Sequence, residues 1–168
     1  MKQFKLSLLA LLSMSFVFTA CEKEEPEVST GLSYSLNGSA TVLKTDSALA
    51  SVNDNIIVAY QSGNENIFLY VTSLNVGTYA FSRSTETDYI RRKANPKAYN
   101  GFFYGLGPDY DVWFQGTAGT ITITSDVNNK ISGTFDITAG YGEGETPVTT
   151  VKGSFNNIEK TERHLIEY

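Results

Sequence analysis

From Gly31 onward apolar and polar residues alternate with a period of two, the pattern of strands that bury one face. Leu32, Tyr34 and Leu36 alternate with serines. Asn37-Gly38 follows as a hairpin signal, because both residue types accept positive φ. Residues 40–43 are the expected return strand, and 45–55 read as a polar connection. Residues 55–61, 67–72 and 78–81 read as further strands, with turns at 62–66 and 75–77. Residues 88–93 read as a short edge strand that its charges protect from stray pairing.

The C-terminal third alternates most cleanly. Thr120-Ile-Thr-Ile-Thr124 is a strand, 125–129 turn the chain, and 130–139 return. Residues 140–147 form a loop, and 148–158 are the last strand. Two segments repeat: Ile131-Ser-Gly-Thr-Phe-Asp136 and Val151-Lys-Gly-Ser-Phe-Asn156. In each, the apolar residue, the glycine and the phenylalanine share one face. A glycine there leaves room for a neighbouring ring to lie across the backbone. The two therefore read as adjacent antiparallel strands with Phe135 and Phe155 buried. The pattern predicts an all-β domain, an antiparallel β-sandwich or partly closed β-barrel of about nine to ten strands.

The N-terminus is different. Lys2 and Lys5 precede an apolar run over residues 6–18, short for a membrane span but suited to the core of a helical signal peptide. Phe18-Thr19-Ala20-Cys21 resembles a bacterial lipobox, although Phe18 stands where Leu or Val is usual. The resemblance implies acylation of Cys21 and cleavage before it. Lys23, Glu24 and Glu25 resemble the export signal of Bacteroidota surface lipoproteins, which implies an outer-membrane, lipid-anchored protein on the cell surface. Together with Gly77-Thr78-Tyr79, the glycine–phenylalanine strands resemble an uncharacterised family of small Bacteroidota lipoproteins, which implies fold and location but no activity. The expected organisation is a signal at 1–20, acylated cysteine and acidic linker at 21–30, the all-β domain at 31–158 and a charged tail at 159–168.

Composition narrows the chemistry. Without residues 1–20, 148 residues remain, with 11 basic and 18 acidic side chains and a net charge near −7. That balance disfavours nucleic acid, which needs clustered Lys and Arg. Cys21 is the sole cysteine, so one chain holds no disulfide. His164 is the sole histidine and lies in the tail, a poor platform for a Ser-His-Asp triad. A zinc ligand set cannot be assembled either. No metal and no cofactor are expected, and the chain does not read as an enzyme. Gly140-Tyr-Gly-Glu-Gly144 joins strand to strand and lacks the helix N-terminus of a phosphate loop. Arg91, Arg92 and Lys93 read as a solvated edge, and Asp109 and Asp111 as a solvated strand start or a carboxylate pair for calcium or sugar.

Aromatic density is the strongest binding signal. Tyr99, Phe102, Phe103, Tyr104, Tyr110, Trp113 and Phe114 fall within sixteen residues. Glycines and Pro108 interrupt them, so 99–109 read as a long loop. Tyr99, Phe102, Phe103, Tyr104, Asp109, Tyr110, Asp111 and Trp113 are the candidate ligand-binding residues, the rings for stacking and the acids for sugar hydroxyls. Asp46-Ser47-Ala48 resembles the O-glycosylation signal of Bacteroidota exported proteins, with Ser47 as acceptor; it also reads as a turn in which Asp46 bonds the backbone. Two functions fit: a non-catalytic surface module binding a glycan or protein, or a lipocalin-like carrier of a small apolar ligand. The anchorage reading has a direct test. Cys21→Ala abolishes lipid labelling and shifts the protein out of the membrane fraction; retention of the variant in membranes overturns it.

Overall fold

The computed structural model describes residues 30–61, 65–82, 100–106, 112–141 and 147–165. They form ten strands: β1 (Gly31–Leu36), β2 (Leu43–Lys44), β3 (Ser47–Ser51), β4 (Ile56–Gln61), β5 (Glu65–Tyr70), β6 (Gly77–Ser82), β7 (Gly101–Leu106), β8 (Val112–Val127), β9 (Lys130–Tyr141) and β10 (Pro147–Thr161). Seven of them close a mixed barrel in the order β3-β4-β5-β7-β8-β9-β10. All its ladders are antiparallel except the closing one. There β10 runs parallel to β3, with Glu159, Lys160 and Thr161 opposite Leu49, Ala50 and Ser51. The remaining strands extend the sheet outside the barrel: β1 and β2 beside β10, and β6 beside β8.

The two longest strands each serve two neighbours in turn. Val112–Gln115 of β8 pairs with β7, and Ala118–Ile123 pairs with β6. A register shift against β9 falls between Gly116 and Ala118, where the neighbour changes. In β10, residues 151–156 pair with β1 and 159–161 with β3, and the shift falls between Phe155 and Ile158, beside Asn157 at φ 51°. A bulge bends a strand and raises its twist. Each long strand therefore turns a corner where it leaves one partner for another.

Side chains fill the barrel. Ile57, Ala59, Ile67, Leu69 and Phe102 from β4, β5 and β7 meet Ile121, Ile123, Ile131, Ile137, Val151 and Ile158 from β8, β9 and β10, with Leu32 and Tyr34 added from β1. The repeated segments pair as expected: Gly133 faces Phe155, and Gly153 faces Phe135. A Cβ on Gly133 would strike the Phe155 ring and the Thr122 carbonyl; one on Gly153 would strike the Phe135 ring and the Ser33 carbonyl. Each ring thus lies across the other strand's glycine, which only a residue without Cβ permits. On β4, Ile56, Ile57, Val58 and Ala59 are all buried, because a second cluster packs outside the barrel wall. A strand buried on both faces reads as an unbroken apolar run.

Five expectations change. Residues 45–55 are not only a connection: they contain β3, whose Ser-Ala-Leu-Ala-Ser sequence has little intrinsic strand preference and is held by β4 and β10 on either side. Residues 99–109 are not one long loop, since Gly101–Leu106 is β7, inserted between β5 and β8. The strand expected at 120–124 is part of a longer one, β8, which begins at Val112. The last strand runs on to Thr161, into the expected charged tail. The hairpin after β1 also closes over a wider span. Asn37 and Gly38 have the positive φ expected, but the return strand is only Leu43–Lys44.

Phe135 and Phe155 are 3% and 0% exposed. Changing either to Ala lowers unfolding free energy by about 3–5 kcal/mol in urea titrations. Losses under about 1 kcal/mol would place these rings on the wrong face.

Candidate functional site

Directly opposed residues on antiparallel strands share a face. On the outer face of β6, β8, β9, β10, β1 and β2 this brings Thr78, Thr122, Thr134, Ser154, Ser33 and Lys44 into one row. Neighbouring strands lie about 4.8 Å apart, so hydroxyls recur at that interval across the row. Thr78 Oγ1 and Thr122 Oγ1 are 3.2 Å apart, and Ser33 Oγ and Ser154 Oγ are 3.3 Å apart. A second row holds Ala80, Thr120, Asp136, Lys152 and Ser35. A third holds Ser82, Ala118, Thr138 and Thr150. All these residues are exposed or half-buried.

The face is short-chained and close to neutral. Its central charges compensate each other: Lys152 Nζ donates to Asp136 Oδ2 at 2.7 Å. With both partners 59% exposed, the pair contributes little stability, but it leaves neither charge alone. At one end Ser33 and Lys44 border a depression of about 30 Å³ with Thr30, Gly31, Leu32 and Thr45, room for one water. The face offers hydroxyl donors and acceptors on a rigid sheet. Among the described residues, no cluster of three or more His, Cys, Asp or Glu stands ready for a metal.

The aromatic candidates part company. Phe102 is 1% exposed and belongs to the barrel interior. That burial leaves its ring no face to offer a ligand, so its assignment as a binding residue is corrected. Phe103 points the other way, as strand alternation requires. It joins Phe68 and Tyr70 outside the wall, with ring centroids 5.7 Å apart for Phe68–Phe103 and 6.5 Å for Phe68–Tyr70. Tyr104 lies in β7 opposite Phe114, and Trp113 in β8 opposite Gly105. Tyr99, Asp109, Tyr110 and Asp111 lie outside the described residues, as do Cys21, Lys23, Glu24 and Glu25, and Arg91, Arg92 and Lys93. Ser47 is exposed at the start of β3, opposite Tyr60.

A family model described as a domain of unknown function, DUF6252, matches residues 37–159. The chain belongs to the DUF6252 family. The match runs from the turn after β1 to the β10–β3 ladder, so the DUF6252 domain includes the whole barrel up to Glu159. No curated protein and no solved structure matches the chain at a significant level.

Sequence reasoning passed over two features of this DUF6252 domain. The hydroxyl rows had a local signal in Thr120, Thr122 and Thr124, but their width depends on register between distant strands. Asp54 falls in the stretch 45–55 read as a polar connection, yet it is almost fully buried against the C-terminal segment.

The two faces respond differently to substitution. Phe102→Ala lowers unfolding free energy by about 3–5 kcal/mol, whereas Thr134→Arg shifts it by less than about 0.5 kcal/mol. Urea titration of both variants checks this, and the opposite ranking would invert inner and outer faces.

Proposed function

We propose that this DUF6252 protein is a lipid-anchored, non-catalytic binding module of the outer cell surface, and that its ligand is a neutral glycan laid across the hydroxyl face. The observation that carries this reading is the row from Thr78 through Thr122, Thr134 and Ser154 to Ser33. Repeated hydroxyls at strand spacing match a ligand that itself repeats hydroxyl donors and acceptors. Protein hot spots favour Trp, Tyr and Arg, which these three rows lack. The Asp136–Lys152 pair is internally compensated, which suits a neutral ligand better than a phosphate.

Anchorage rests on the lipobox resemblance at Cys21 and the Lys23-Glu24-Glu25 signal. The acidic stretch after Cys21, which has nothing to bury, is the proposed link between anchor and domain. Ser47, exposed at the start of β3, is the proposed O-glycosylation acceptor. The carrier alternative draws no support from the described interior, which Ile, Leu, Val and Phe side chains occupy.

A glycan array probed with the protein and with a Thr122→Arg/Thr134→Arg variant tests the reading. The protein is expected to capture at least one neutral glycan class, with a more than tenfold loss in the variant at an unchanged melting temperature. Equal capture by both moves the site elsewhere, and capture of no glycan overturns the ligand class.

A further inference from the structure

The β10–β3 ladder ends at Thr161, whose carbonyl accepts from the Val52 N–H at 2.8 Å. The next four residues, Glu162, Arg163, His164 and Leu165, belong to no strand. They cross back over the turn between β3 and β4. Asn53 Nδ2 donates to the Glu162 carbonyl. His164 Nδ1 lies 2.7 Å from Asp54 Oδ1, and the Leu165 N–H donates to Asp54 Oδ2 at 2.8 Å. Leu165 packs on the cluster outside the barrel wall, made of Ile56, Val58, Phe68 and Tyr70 with Phe103 beside them.

The two sides of this contact are unequally buried. Asp54 is 1% exposed, while the His164 side chain is 70% exposed. A buried carboxylate is costly unless paired and hydrogen-bonded. Here each carboxylate oxygen accepts from an atom of the C-terminal segment. That segment itself is mostly in water: Glu162, Arg163 and His164 are exposed, and Leu165 is half-buried. Its bonds to the turn lie beyond Thr161, the last residue of the barrel's closing ladder, and belong to none of the barrel's pairings.

We propose that Glu162 to Leu165 form a releasable strap, with Asp54 as its catch, which opens without unfolding the barrel and bares the part of the outer apolar cluster under Leu165. On release, water replaces His164 and Leu165 at the Asp54 carboxylate, so its oxygens exchange protein partners for solvent. The bared patch, with Asn53 and Asp54 of the adjoining turn beside it, has the character of a protein contact surface. A segment that fits it presents what the strap presents: an apolar side chain whose own N–H, and a donor just before it, reach Asp54. The strap thereby controls access to a face built from other strands than the hydroxyl rows, and it stands whether or not a glycan binds there.

Native-state hydrogen exchange on the full chain tests this. Leu165 is expected to exchange its bonded amide about 100-fold faster than the slowest amides of β8 and β9, through an opening that leaves those strands closed. Leu165→Glu is expected to raise the fluorescence of an added hydrophobic dye several-fold while melting stays cooperative, and a synthetic Thr-Glu-Arg-His-Leu peptide is expected to reverse the rise. A Leu165 amide that exchanges only at the rate of β9 overturns the proposal. So does a Leu165→Glu variant that loses cooperative melting or leaves the dye signal unchanged.

Discussion

Parallel pairing of Leu49, Ala50 and Ser51 with Glu159, Lys160 and Thr161 holds the barrel shut. Without it β3 and the C-terminal end of β10 would both be open edges, ready templates for other chains. The wall made of β3, β4, β5 and β7 would then hang from β8 alone. Closure sets those two edges against each other and encloses the interior. The pairing joins segments far apart in sequence, so its loop-closure entropy must be offset by the interior it completes. Ile57 and Ala59 on one side and Ile131 and Ile158 on the other are buried once that interior is enclosed.

Closing a small barrel leaves little room, and glycine supplies part of it. Phe155 over Gly133 and Phe135 over Gly153 place two large rings where two ordinary side chains would collide with backbone. Gly116 serves a related purpose at the other bulge: a Cβ there would lie 2.8 Å from Phe81. Rings and glycines thus divide the space between them, and the long strands bend at the points where their neighbours change.

The outer surface inherits its character from this arrangement. Where β8, β9 and β10 carry Thr and Ser outward, the sheet offers a neutral hydroxyl grid. Where β4 and β5 carry Ile, Val, Phe and Tyr outward, it needs a second cover, and Leu165 supplies part of it under the hold of Asp54. A single wall thus carries two chemically distinct outer faces.

Residues 120–124, 130–139 and 148–158 declared themselves as strands because alternation, glycine placement and Asn turns all point the same way. The Gly133–Phe155 exchange was legible in the repeat itself, since a shared face forces ring onto glycine when the strands pair. What the chain alone determined was therefore the all-β class, the C-terminal strands and their inner face, because these follow from local periodicity. Only the tertiary structure decided that Ser-Ala-Leu-Ala-Ser is the closing strand, that Gly101–Leu106 is a strand with Phe102 inward, and that Asp54 and His164 meet. Each depends on a partner distant in sequence, and a weak local preference becomes a definite structure only when that partner's hydrogen bonds and apolar surface are in place.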